Sequence, residues 1–221
     1  MFHWLEKNPF FFSVGVFVVI AFAGLIEILP NFAEASRPVV GLKPYTVLEL
    51  AGKEVYKKDA CIACHSQLIR PFKAETDRYG QYSLSGEYAY DRPFLWGSKR
   101  TGPDLHRVGN YRTTDWHENH MWDPTSVVPG SIMPAYKHHF TNTADIETAY
   151  AEAVTVKNVF ATPYGDEFQA TRAAWDAHRP AVLAEAQAIA ADMKNKDVKE
   201  AVAAGNVPEI VALIAYLNRL K

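Results

Sequence analysis

The two cysteines of this 221-residue chain stand three positions apart, in Cys61-Ile62-Ala63-Cys64-His65. At that spacing two thiols reach the two vinyl groups of one porphyrin, and the next residue offers an imidazole to the iron. A chain carrying this pentapeptide is expected to fold around one flat, covalently tethered haem c. Other uses of paired cysteines fit less well. A structural zinc site needs four ligands, and none of the eight histidines forms a two-histidine pair at zinc-finger spacing after the cysteines. A dithiol redox centre belongs at the start of a helix within alternating strands and helices, a pattern the sequence does not show.

The iron needs a sixth ligand or an open face, and methionine and histidine are the usual candidates. Met133 lies in Val128-Pro129-Gly130-Ser131-Ile132-Met133-Pro134. Two prolines and a glycine forbid regular helix there and hold the chain extended, which suits a thioether presented sideways to a flat cofactor. Met121 sits in a His- and Trp-rich stretch, and Met193 in an alanine-rich helical run. His106, His117, His120, His138 and His139 have polar and charged neighbours and are expected to be surface or hydrogen-bonding residues. His65 and Met133 are therefore the expected axial pair, which raises the potential and suits an electron carrier without its own bond-breaking site.

Residues 10–29 read FFFSVGVFVVIAFAGLIEIL, with Glu27 the single charge. Twenty helical residues rise about 30 Å, the thickness of one bilayer core. A secretory signal is the rival, because Ala33-Glu34-Ala35 resembles a cleavage site, but the apolar run exceeds a usual signal core. A retained single-pass anchor over residues 1–36 is expected, followed by one domain over 37–221. Loop charge orients it weakly. Covalent haem attachment occurs outside the bacterial inner membrane, so the N-terminus is expected in the cytoplasm and the haem domain in the periplasm.

A net charge of -2 gives no basic excess for nucleic acid. Small c-type cytochromes cross an N-terminal helix bearing the haem residues over a C-terminal helix. Residues 46–59 place Val47, Leu50, Ala51 and Val55 on one helical face, with Gly52 permitting close approach of another backbone. Residues 208–220 place Ile210, Leu213, Ile214 and Leu217 at the same period. Residues 66–119, rich in Gly, Pro, Tyr and Trp, read as long loops around the cofactor. Within them, Pro103 can aim its carbonyl at the second nitrogen of His65. Lys99 and Arg100 are candidates for the haem propionates, or for solvent and partner contacts. Residues 142–206 read as a helical insertion, with Asn142 a cap before a helix over 145–159 and breaks at Pro163, Gly165 and Pro180. It carries no visible chemistry and is expected to cover the Met133 loop or meet another subunit. The whole is a mainly α fold, a transmembrane helix followed by a class I cytochrome c-like domain.

Taken together, the anchor, Cys61-Ile62-Ala63-Cys64-His65-Ser66-Gln67-Leu68-Ile69-Arg70-Pro71-Phe72, the block from Trp96 through Gly102-Pro103-Asp104-Leu105, and residues 128–136 resemble the mono-haem subunit II of cbb3-type cytochrome c oxidases. The resemblance implies that Cys61 and Cys64 hold the porphyrin and that His65 and Met133 ligate its iron. It implies electrons received from a dihaem cytochrome c subunit or a soluble cytochrome c. They would pass to a catalytic subunit with haem b, haem b3 and copper, where oxygen is reduced to water with proton pumping. It also implies an interfacial calcium near Ser98. Three other readings stay open: the cytochrome c subunit of a nitric oxide reductase, a membrane-anchored haem sensor with an exchangeable sixth ligand, and a structural assembly subunit. The extended loops and the 142–206 block argue against the first.

Overall fold

The computed structural model describes residues 2–33 and 37–221, so the Ala33-Glu34-Ala35 site lies partly outside the described residues. Two compact units emerge, Met1–Arg37 and Pro38–Lys221. The first holds a short helix α1 (Phe2–Lys7) and a long helix α2 (Pro9–Ala33). The stretch Pro9–Pro30 is strongly apolar and none of it is buried, so its side chains all face outward, as lipid contact requires. This is the membrane-spanning helix. It begins where expected but runs past residue 29 and through Pro30.

The second unit is helical and loop-rich, with no strand among the described residues beyond one isolated bridge between Thr143 and Pro208. Its centre is the crossing of α3 (Val47–Lys58) and α10 (Glu209–Arg219), the most extensive helix pairing in the molecule. Helix α3 starts at a capping box: Thr46 Oγ1 accepts from Glu49 N at 3.1 Å, and Glu49 Oε2 accepts from Thr46 N at 2.8 Å. Val47, Leu50, Ala51 and Val55 are buried against Ile210, Leu213, Ile214 and Leu217. Gly52 faces the α10 backbone so closely that a Cβ there would lie 1.9 Å from the Ala212 carbonyl oxygen. Lys53, 1% exposed, is paired with Asp91 inside this core.

Between these helices lie α4 (Lys73–Tyr79) and α5 (Thr114–Trp122), which begin within the stretch 66–119 expected to be loops, followed by α6 (Pro124–Val127). Three helices form the insertion: α7 (Ile146–Phe160), α8 (Arg172–Ala191) and α9 (Lys196–Ala203). Asp145, not Asn142, caps α7, accepting from Thr148 N at 2.9 Å. The Asn142 backbone carbonyl instead accepts from Glu209 N at 2.9 Å, joining the α10 entrance. Pro180 does not end its helix. Trp175 on one side of it and Val182, Ala186 and Ala190 on the other are buried, and this packing carries α8 through the missing N–H. The insertion packs on α3 and α10 through α7 and α8, extending the core.

Candidate haem site

Cys61 opens a single 3₁₀ turn that follows α3 after Ala60, whose left-handed φ of 53° turns the chain sharply. Both cysteines are free thiols, Cys61 half-buried and Cys64 exposed. Burial and the nearby Asp59 carboxylate push the Cys61 thiol up to about 12. His65 Nδ1 meets the Pro103 carbonyl oxygen at 2.8 Å. With the proton on Nδ1 it donates there, and Nε2 keeps its lone pair for iron. Burial lowers the His65 pKa, with the Pro103 carbonyl opposing, which favours the neutral ligating form. Gly102 lies flat against the ring, since a Cβ there would fall 2.3 Å from His65 Cε1. The turn therefore fixes the imidazole by one hydrogen bond and one van der Waals wall.

The loop bearing that turn is lashed to the haem residues. Gly102 N donates to Cys64 O at 2.9 Å, Leu105 N to Ser66 O at 2.8 Å, and Gln67 N to Trp96 O at 2.9 Å. Asp104, 1% exposed, accepts from Ser66 Oγ at 2.7 Å, Leu68 N at 2.8 Å and His106 N at 2.9 Å. Gln67 is held from both ends, its carbonyl accepting from Tyr88 Oη and its Oε1 from Tyr216 Oη. Of these partners Tyr88 and Tyr216 were not singled out from the sequence, His106 was weighed only as an iron ligand, and the others stand inside the blocks quoted for the resemblance.

Arg100 is not free for a propionate. Its guanidinium donates to Ser66 Oγ, Leu68 O and Glu75, with Asp104 at 3.4 Å, and so pins the loop after His65 to α4. Arg100, together with Arg70, draws the Glu75 carboxyl down to about 2. A carboxyl whose folded pKa lies below its ordinary 4.5 stabilises the fold above that value, and the contribution is lost as pH falls from 4.5 toward 2. Glu75→Gln is expected to lower stability at pH 7 by about 2 kcal/mol and to flatten this acid limb. Thermal unfolding from pH 7 to 3 checks it; an unchanged acid limb would count against the pairing. Lys99 and Ser98 are exposed. Nothing supports a calcium at Ser98: among the described residues the one cluster of three metal-ligating side chains is Asp59, His138 and His139, away from that segment in sequence and rich in imidazole rather than carboxylate.

Met133 is half-buried against the main core with Cys61, Ile62, Leu105 and Tyr136. Its loop is tied down at the far end. Tyr136 N donates to Met121 O at 2.8 Å, and Tyr136 stacks on His139 with ring centroids 5.2 Å apart. His138 Nε2 lies 2.8 Å from Asp59 Oδ2, and His139 is hydrogen-bonded to the same oxygen. Asp59 stands two residues before Cys61, so it joins the segment after Met133 to the haem pentapeptide. Burial raises the Asp59 pKa, but the two imidazoles outweigh it and leave the carboxyl below its ordinary value. Of the five histidines weighed as ligands, His106, His138 and His139 are hydrogen-bonded and His138 is exposed, as expected of surface or hydrogen-bonding residues, whereas His117 is buried with an unpartnered ring nitrogen. His106 bonds Ser83, Tyr88 and Glu87.

A cavity of about 1020 Å³ is lined by Tyr45, Glu49, His106, Arg107 and Arg219 among others, but by none of Cys61, Cys64, His65 or Met133. The redox residues therefore lie elsewhere. Two free thiols at porphyrin spacing, a neutral imidazole with one nitrogen engaged, and the unpartnered buried nitrogens His117 Nε2 and His120 Nδ1 fit a covalently bound c-type haem. The family model described as "Cytochrome C oxidase, mono-heme subunit/FixO" matches residues 2–221. No curated protein matches the chain.

Proposed function

Because the chain belongs to this mono-haem cytochrome c oxidase subunit family, as a haem-binding electron-transfer subunit rather than an independent enzyme, we propose that it is the fixed electron relay of a cbb3-type oxidase. In this reading Cys61 and Cys64 carry the porphyrin and His65 and Met133 are the axial pair. The haem supplies a one-electron ferric and ferrous couple. The protein's part is to hold that couple still. Pro103 O and Gly102 fix the His65 ring, Asp104 and Arg100 fix the loop that carries them, and the Asp59 contacts restrain the Met133 segment. With both axial positions filled, a change of oxidation state needs little movement of side chains.

Residues 1–36 form the anchor and 37–221 the haem domain, the former with its N-terminus cytoplasmic and the latter periplasmic at the bacterial inner membrane. Anchoring replaces diffusional encounter by a high effective concentration beside one acceptor. That acceptor is the catalytic subunit with haem b, haem b3 and copper, and the donor is a dihaem cytochrome c subunit or a soluble cytochrome c. The observation that carries the reading is the His65 imidazole, oriented by Pro103 directly after the cysteine pair, in a chain matched over nearly its whole length by the family.

Copurification tests it. The tagged chain is expected to bring down a large multi-helix subunit with haem b, high-spin haem and copper, and a partner of nitric oxide reductase type without copper would sink the cbb3 assignment. Met133→Leu in the purified complex is expected to abolish the far-red thioether-to-iron absorption. Persistence of that band would point to another methionine.

A further inference from the structure

We propose that His117 and His120 on α5 are the hydrogen-bond donors to a haem propionate carboxylate, a role expected of Lys99 and Arg100 but left open by the engagement of Arg100 with Glu75 and Asp104. This rests on the haem reading above. The two histidines stand three residues apart, on one side of the helix. His117 is 2% exposed with Nε2 buried and unpartnered, and His120 Nδ1 is likewise buried and unpartnered. A buried polar group left unsatisfied is costly, and two within one turn mark a place where a missing group belongs.

The missing group is an acceptor with negative charge. Among the described residues neither of these nitrogens has a hydrogen-bond partner, and the Arg112 cation lies over Trp116, which stacks on His120. Burial, then neighbouring charges that include Arg112, push both imidazoles down to about 4, so each is a neutral donor beside a cation. Arg112 lies 4.2 Å over the Trp116 ring, and Trp116 stacks on His120 at 4.5 Å. Arg112 has no carboxylate partner among the described residues. The acids of α5 serve other contacts: Glu118 accepts from Lys194 N and Asn195 N, each at 2.7 Å, and Asp115 binds Thr113 and Lys194.

Position selects the propionate over a free anion. The end of α5 is bonded to the Met133 segment through Met121 O and Tyr136 N. Helix α5 is thus tied to the proposed Met133 segment, and a covalently held haem brings two carboxylates into that neighbourhood.

The test is a redox titration of the c-type haem in the purified complex carrying His120→Leu, His120→Gln or His117→Leu. Removing a donor leaves more negative charge near iron and favours the ferric form. The reduction constant is expected to fall about tenfold in His120→Leu, equivalent to about 59 mV for one electron. His120→Gln, which keeps an N–H, is expected to recover most of it, with the haem stain and the far-red band retained in both. Unchanged potentials in His120→Leu and His117→Leu would overturn the proposal. Loss of the far-red band in His120→Leu would overturn it by making His120 an iron-side residue. A wild-type potential that shifts with added acetate would overturn it in favour of a small free anion. Absence of haem stain from the wild type would instead remove the underlying haem reading.

Discussion

Changing Cys61 and Cys64 together to serine is expected to remove all haem stain from this chain on a denaturing gel and to abolish oxidase turnover in the complex. The effect should be total rather than graded. Serine presents an alcohol of similar size that forms no thioether, so porphyrin attachment is lost while the fold is spared. The helical core supports that separation: α3 and α10 bury Val47, Leu50, Val55, Ile210, Leu213 and Ile214 against one another without using either thiol. Circular dichroism of the double variant should therefore stay helical. Retained turnover after loss of stain would make the chain a structural assembly subunit and end the relay proposal.

The second large effect is expected at the helix crossing. In Gly52→Ala the added methyl carbon would sit 1.9 Å from Ala212 O, 2.5 Å from Ala212 C and 2.9 Å from Tyr216 Cβ. Backbone atoms cannot rotate aside, so the two helices must separate. Alanine ordinarily gains about 1 kcal/mol over glycine inside a helix. Here overpacking is expected to reverse the sign, with a net loss of about 3 kcal/mol. For a domain of this size that lowers the melting temperature by roughly 10 °C. Thermal unfolding followed by helical signal measures it, and a variant as stable as wild type would show that α3 and α10 do not cross at Gly52.

Gly52 also shows what was legible in the sequence. The apolar period of 46–59 and 208–220 gave two helices, their buried faces and the close approach between them, because packing there is set by local pattern. The membrane helix was legible from length and apolarity alone. Short helices were not: α4 and α5 are seven and nine residues long, too short for a period to stand out from polar sequence. Pro180 read as a break because the burial that holds α8 together is a tertiary property. Around the site, Pro103 stands where the sequence suggested, whereas Arg100, Glu75 and Asp104 form a network drawn from separated segments that no spacing rule brings together. The burial of His117 was not legible for a similar reason, since charge in adjacent residues does not reveal what lies across the fold.

The contact of His138 and His139 with Asp59 bears on which molecules can reach the iron. With Met133 as the sixth ligand, as proposed, a gas molecule could bind only after the Met133 segment swings out. That segment is fastened at Asp59 and again at Met121 O, so both fastenings must open together. Each additional ~1.4 kcal/mol needed for opening cuts the open population tenfold. If Met133 holds the iron as proposed, a relay shuttered in this way would pass electrons while leaving oxygen to the proposed catalytic subunit.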